Sequence, residues 1–246
     1  MVKKLTRGLA YLMVVGLFAC QGCTSDSKPA NNPNTNPKAT PKNVVVPTFN
    51  RDSALHYVQK QVDFGPRVPN TKAHQECARW IIKKFQSFGA QTIAQDFKAQ
   101  HHDGSFFNAR NIIATYNPQQ TNRVMISCHW DTREIADYDP DPSKRDQPIL
   151  GADDGGSGVG VILELARLLQ KKELDLGVDF VLFDVEDQGK SGDSGGAETW
   201  CLGSQYWGKN THVSGYRAKY CINLDMVGSK GARFPKEATS TRQAPQ

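Results

Sequence analysis

From about residue 50 to residue 230 the chain alternates two hydrophobic rhythms. Apolar residues three or four apart mark amphipathic helices, and nearly unbroken apolar runs mark buried strands. Asn50 or Asp52 can cap a helix to about Val62, with Ala54, Leu55, Val58 and Val62 on one face. Phe64-Gly65-Pro66-Arg67 breaks it. A second helix is predicted from Thr71 to about Phe88, with Cys77, Ile81, Phe85 and Phe88 in a stripe and Gly89 as its C-terminal stop. Thr92–Phe97 and Phe106–Tyr116 read as strands flanking an Asp103-Gly104 hairpin turn. Val124–Ser127, Val178–Phe183 and Lys219–Met226 read as further strands. Helices are expected from Ser157 to about Lys172 and from about Thr199 to Trp207. This order predicts an α/β domain with three α/β/α layers and a mixed, mostly parallel sheet.

The two ends differ from this body. Lys3, Lys4 and Arg7 precede a short apolar core, Leu9–Ala19, which is short for a bilayer span. Leu17-Phe18-Ala19-Cys20 resembles a bacterial lipobox, which implies cleavage before Cys20 and lipid on it. The other reading is an ordinary signal peptide cut near Cys23; both export the protein. Residues 1–20 are therefore expected to be a leader. Residues 21–48, rich in Asn, Pro, Thr and Lys, are expected to be a flexible tether. The domain is expected over residues 49–234. Residues 235–246 show no strand or helix pattern.

Charge changes the picture little. Of the formal +5, residues 1–19 carry +3 and residues 227–246 carry +3, which leaves the body at −1. A near-neutral body argues against nucleic-acid binding. The loop over residues 133–150 is acidic, but Pro140 and Pro142 and the missing turn glycine favour a solvated loop over a calcium loop. Cys77, Cys128 and Cys221 lie in apolar surroundings and read as small buried hydrophobes.

Chemistry concentrates where apolar runs stop. Three segments are rich in acids: Cys128-His129-Trp130-Asp131, Gly151-Ala152-Asp153-Asp154-Gly155-Gly156 and Asp184-Val185-Glu186-Asp187. Carboxylates and imidazoles at the same ends of strands suit a divalent metal and a general base. Helix capping is the alternative use of Asp153-Asp154, although one acid suffices for it. His129 and Asp131, two apart, point the same way in an extended segment, so Asp131 can accept the imidazole N–H. Asp225 ends a third strand.

Together these blocks resemble the zinc aminopeptidase family and, more closely, its glutaminyl-peptide cyclotransferase branch. Phe64-Gly65-Pro66-Arg67, Leu202-Gly203-Ser204 and Leu224-Asp225-Met226-Val227-Gly228 follow the same order. The resemblance implies that Asp154 and Asp187 bind zinc and that Glu186 moves protons. Aminopeptidases usually carry a longer Glu where Asp187 stands. His129 and Asp225 match second-metal positions in two-zinc aminopeptidases and supporting groups in one-zinc cyclotransferases. Trp200 and Trp207 match aromatic pocket walls. The family takes a last zinc ligand from a histidine near its C-terminus, whereas the last histidine here is His212. By that comparison the closing elements are absent, residues 235–246 fall outside the family, and low activity is expected.

The sequence thus points to an exported cyclotransferase with one zinc, acting on peptides or proteins with an N-terminal glutamine. The alternatives are a two-zinc aminopeptidase and a non-catalytic exported remnant. Its membrane contact would be the lipid on Cys20. Labelled fatty acid is expected to enter the parent protein and not Cys20→Ser; equal labelling of both would exclude Cys20 as the anchor.

Overall fold

A computed structural model describes residues 45–170, 174–192, 196–235 and 238–243. The leader, Cys20 and the tether up to residue 44 lie outside the described residues. The protein divides into two units, Met1–Val45 and Val46–Gln246, and every described helix and strand lies in the second. Among the described residues no helix is long and apolar enough to cross a membrane.

Helix α1 (Arg51–Val62) starts where the Asn50 side chain accepts from the N–H groups of Asp52 and Ser53, both at 3.0 Å. Its buried face is Ala54, Tyr57 and Gln61, while Leu55 is 68% exposed. The observed face is therefore rotated from the expected apolar stripe. Two polar contacts set the true face. Gln61 Nε2 donates to the carbonyls of Tyr57 and Gly156 (3.0 and 3.1 Å), and Glu164 accepts from Asn50 N–H (2.9 Å). Helix α2 (Lys72–Ser87) is capped by Thr71 and buries Cys77, Ala78, Ile81 and Phe85, as its stripe predicts. Gly89, at φ +84°, ends it in a conformation that favours glycine.

Strands β1 (Gln91–Gln100) and β2 (Phe106–Tyr116) form the expected hairpin. Strand β3 (Arg123–His129), helix α3 (Gly156–Leu169) and strand β4 (Gly177–Phe183) follow. Helix α4 (Leu202–Lys209) and strand β5 (Cys221–Asn223) come next. The sheet order is β1-β2-β4-β3-β5. It is mixed: β1/β2 and β2/β4 are antiparallel, whereas β3 runs parallel to β4 and to β5. The parallel half carries the strand ends that the sequence marked as chemical.

Strand side chains alternate between the two faces. Ile112, Ala114, Val178, Phe180 and Leu182 pack with Ile81 and Phe85 of α2 and with Ile162 and Leu163 of α3. Ile113, Val181 and Phe183 face the other way and pack with Trp207 of α4. These are the expected three layers.

Three boundaries differ from expectation. The helix expected from Thr199 is broken at Cys201, which sits at φ +54°. Strand β5 is short because the backbone turns after Asn223, with Met226 at φ +45°. Ala238–Gln243 form a short helix, α5, where no regular element was expected. Its run of Ala, Thr, Ser, Arg and Gln has no apolar stripe, so periodicity could not mark it. Ala, Arg and Gln nevertheless favour helix.

One buried charge sits inside the apolar strand β4. Asp179 accepts from Arg123 Nε and Nη2 (2.7 Å each), Thr115 Oγ1 (2.8 Å) and Tyr216 OH (2.8 Å). Burial alone would raise its pKa, but these donors outweigh burial and hold it below the usual carboxylate value. Asp179→Asn is expected to cost about 3–5 kcal/mol, because Arg123 is left without its buried partner. A group whose folded pKa is lowered contributes fully above its unfolded value, about 3.9, and loses that contribution as pH falls through the folded value. Urea midpoints should therefore converge for parent and variant on acidification through that range; a constant gap would contradict the assignment.

Candidate metal centre

The site forms where β3 and β4 run out together. Trp130 N–H donates to the Phe183 carbonyl at 3.0 Å, which keeps the two strand ends level past their last pair. Beyond β4, Val185 is fully buried at φ +54°, a conformation strained for a β-branched residue. This turn redirects the backbone just before Glu186 and Asp187.

Asp131 holds the turn. Its carboxylate is fully buried and accepts from the N–H groups of Glu186 (3.0 Å) and Asp187 (3.4 Å) and from Gln188 Nε2 (3.0 Å). Asp131 Oδ1 lies 3.5 Å from His129 Nδ1, an ion-pair separation longer than a good hydrogen bond. Orienting the imidazole, the role expected for Asp131, is thus subordinate to clamping the β4 turn. Asp184 is anchored separately, by His74 Nε2 at 2.9 Å, Arg110 N–H at 2.6 Å and Val185 N–H at 2.9 Å.

The loop before α3 is positioned by a buried arginine. Arg67 donates to the carbonyls of Leu150 and of Gly151, the latter at 2.7 Å. Neither aspartate of the loop caps α3, whose N-cap is Gly155 without a side-chain bond. The Asp153 side chain instead accepts from Gly228 N–H at 2.7 Å and from Ser229 Oγ. This draws the segment after β5 towards the head of α3. Asp154 is left to face His129. Gly155, at φ +78°, permits the approach; a Cβ there would lie 2.8 Å from the Asp131 carbonyl and 3.1 Å from His129 Cε1.

The result is one imidazole ringed by carboxylates. His129 Nε2 lies 2.9 Å from Asp154 Oδ1 and 3.7 Å from Asp225 Oδ1. His129 Nδ1 lies 3.9 Å from Asp187 Oδ2. Burial pushes the Asp187 carboxyl up, and with the charges of Asp131, Asp154 and Glu186 it reaches about 8, against the opposing pull of His129. Burial, then nearby carboxylates, also raises Glu186. Burial would lower His129, but Asp131, Asp154 and Asp225 outweigh it and hold the ring well above its ordinary value. Buried His129 Nδ1 and Asp187 Oδ2 have no hydrogen-bond partner among the described residues. One imidazole does not balance the carboxylates around it, and a divalent cation fits among them. One ligand atom each from His129, Asp154 and Asp225 lies within 4.8 Å of the others.

Of the residues marked in the sequence, His129, Asp131, Asp154, Glu186, Asp187 and Asp225 therefore meet. The two tryptophans do not share a place. Trp200 lies under Arg133, 4.7 Å from ring to guanidinium, and closely against Gly189 just beyond Asp187. Trp207 packs on Phe183 and Tyr216 and donates to His212 Nδ1 at 3.1 Å. Two supporting residues, His74 and Gln188, carried no signal, and two more, Arg67 and Asp184, lay inside marked segments without a role assigned to them. Arg67 lies in a segment that reads as a helix breaker and as part of the family resemblance, and its carbonyl partners are more than 60 residues away.

The model of peptidase family M28 matches residues 111–245, and the chain belongs to that family. A glutaminyl cyclase of Bacteroides thetaiotaomicron, solved with N-acetylhistamine, is 47% identical, with 82% of this chain and 70% of that one covered and a TM-score of 0.79. A Zn-dependent exopeptidase of Parabacteroides distasonis is 48% identical, covering 81% and 69%, also at 0.79. The glutaminyl-peptide cyclotransferase of Drosophila melanogaster is 24% identical, covering 69% of this chain and 46% of that protein. The chain spans about half the length of the curated relatives it matches.

Asp154→Ala and Asp225→Ala are each expected to weaken zinc binding at least 10- to 100-fold, the scale seen even for groups one shell removed. Trp207→Phe should leave it unchanged. Competition against a chromogenic chelator reads this out; unchanged zinc affinity in Asp154→Ala would contradict the assignment.

Proposed function

We propose that this chain forms the catalytic domain of a zinc-dependent glutaminyl-peptide cyclotransferase. The reading is carried by Glu186. Its carboxylate is half-buried, no hydrogen bond to it occurs among the described residues, and it stands beside the ring of acids with its pKa raised by burial. A carboxylate so placed is suited to accept and return a proton. The kinship to glutaminyl cyclases at close to half identity supports the same chemistry.

In this proposal Asp154 and Asp187 hold the zinc, with His129 and Asp225 beside them. Bound zinc supplies Lewis acidity towards a substrate carbonyl oxygen. The substrate's own α-amine attacks the amide carbon in the side chain of an N-terminal glutamine. Glu186 takes the amine proton and delivers it to the departing amide nitrogen. A ring C–N bond forms, the C–N bond of that amide breaks, and ammonia leaves. Asp131 keeps the Glu186 backbone fixed throughout through their 3.0 Å hydrogen bond. Trp200, beside the Asp187–Gly189 segment, is a candidate wall for the peptide. With the leader read in residues 1–20, the reaction would take place outside the cytoplasm.

A zinc exopeptidase is the second reading. It is favoured by the observation that both nitrogens of His129 face carboxylates, Asp154 and Asp225 on one side and Asp131 and Asp187 on the other. That many acids could hold two ions, and a two-ion site activates water for peptide hydrolysis. Products separate the readings: ammonia from a Gln-peptide, or free amino acids.

Glu186→Gln is expected to keep its zinc and to lose turnover by about 10²–10⁴, the usual range for a general acid–base group. Ammonia release from a Gln-peptide and zinc content are measured together. Parent-level turnover in that variant would remove Glu186 from the proton path.

A further inference from the structure

We propose that His101, His102 and Glu134 form a second cation site, for a divalent ion of the zinc class, on the turn between β1 and β2. The inference is independent of the reaction assigned to the Asp154 cluster, with which it shares no residue. One ligand atom from each of the three residues lies within 4.8 Å of the others.

The turn is firmly built. His101 N–H donates to the Ser105 carbonyl at 2.9 Å, Gly104 N–H to the His101 carbonyl at 3.0 Å, and Ser105 N–H to Asp103 Oδ1 at 2.8 Å. His101 is only 8% exposed, and its ring packs on Phe107 with centroids 4.9 Å apart. The His102 ring lies 3.9 Å from it, centroid to centroid. Glu134 comes from the segment after β3, where its N–H donates to Gln188 Oε1 at 3.3 Å.

The ring nitrogens of His101 have different surroundings. Nδ1 lies 3.1 Å from Asp103 Oδ1, an ion-pair separation within the turn, which leaves Nε2 as the nitrogen facing Glu134. Nε2 lies 3.2 Å from Glu134 Oε1, yet the two are not aligned for a hydrogen bond, and Nε2 is buried without a hydrogen-bond partner among the described residues. Where that nitrogen carries its lone pair, it and the facing carboxylate repel each other unless positive charge lies between them. Two ligands of a tetrahedral zinc, with bonds of about 2.1 Å, are separated by about 3.4 Å, close to this spacing. Two imidazoles and one carboxylate suit zinc and its neighbours better than calcium or magnesium. The bound ion would tie the β1–β2 turn to the segment after β3. Gln188 links that segment in turn to Asp131, through Nε2 at 3.0 Å.

The test is zinc uptake by the whole protein with Asp154→Ala and Asp225→Ala, which disable the first cluster. Competition with a chelator and melting with and without zinc are both read. This double variant is expected to take up one zinc and to melt higher with it. Adding His102→Ala or Glu134→Gln should weaken that uptake at least tenfold and abolish the zinc-dependent rise in Tm. His102 is exposed and Glu134 half-exposed, so the metal-free melting point should barely move. The proposal is overturned if the double variant takes up no zinc. It is equally overturned if uptake is unchanged by both further substitutions. In either case His101 is better read as part of an ion-pair cluster with Asp103 and Glu134 that holds no metal. Because the first cluster is disabled throughout, a failure of the cyclotransferase reading produces neither result.

Discussion

The buried carboxylate of Asp131 is the constraint on which the site depends. It sits at the end of β3 and takes three donors from the turn after β4: Glu186 N–H, Asp187 N–H and Gln188 Nε2. Two strands that are parallel neighbours in the sheet are thereby fastened at their ends, where ladder pairing has stopped. A fully buried carboxylate is tolerated only when it is well paired and hydrogen-bonded. These bonds also balance the strained backbone of Val185, which presents Glu186 and Asp187 at one place.

Everything else brings a further group to that place. Arg67 fixes the carbonyls of the loop before α3, and the absence of a side chain at Gly155 lets Asp154 close on His129. Asp153 ties down the Gly228–Ser229 segment, so Asp225 reaches the same Nε2 edge of the ring as Asp154. The positive charges nearest the site are spent on carbonyls and on other acids. Arg67 serves backbone oxygens, and Arg133 serves Asp137 and the carbonyls of Asp187 and Gly189. The carboxylates around His129 are thus left to a cation from solution. Family M28 membership and this charge imbalance point to the same kind of ion.

Most of the frame was legible because it follows local rules. The apolar stripe of α2, the Asp-Gly turn and the buried run of β4 each state their structure in a few adjacent residues. The acidic blocks were legible for a similar reason, since each stands where an apolar run ends. Reading failed where one distant polar contact decides the outcome. Gln61 enters the buried face of α1 because a carbonyl of α3 accepts from it, which no helical stripe can show. Asp131 reads as a partner for His129 two residues away, yet its better bonds go to residues 55 to 57 positions further on. Trp207 reads as a pocket wall and packs instead against Phe183 in the layer beneath the sheet. Helix α5 has the propensity of a helix without its periodicity.

The central claim is that the Asp131 clamp assembles a cation site around Asp154. Anomalous diffraction at the zinc absorption edge, from crystals of this protein grown with zinc, tests it most directly. The account predicts an anomalous peak about 2.0–2.2 Å from a carboxylate oxygen of Asp154, also within contact of His129, Asp187 or Asp225. A map with no peak at Asp154, and zinc found elsewhere or not at all, would contradict it.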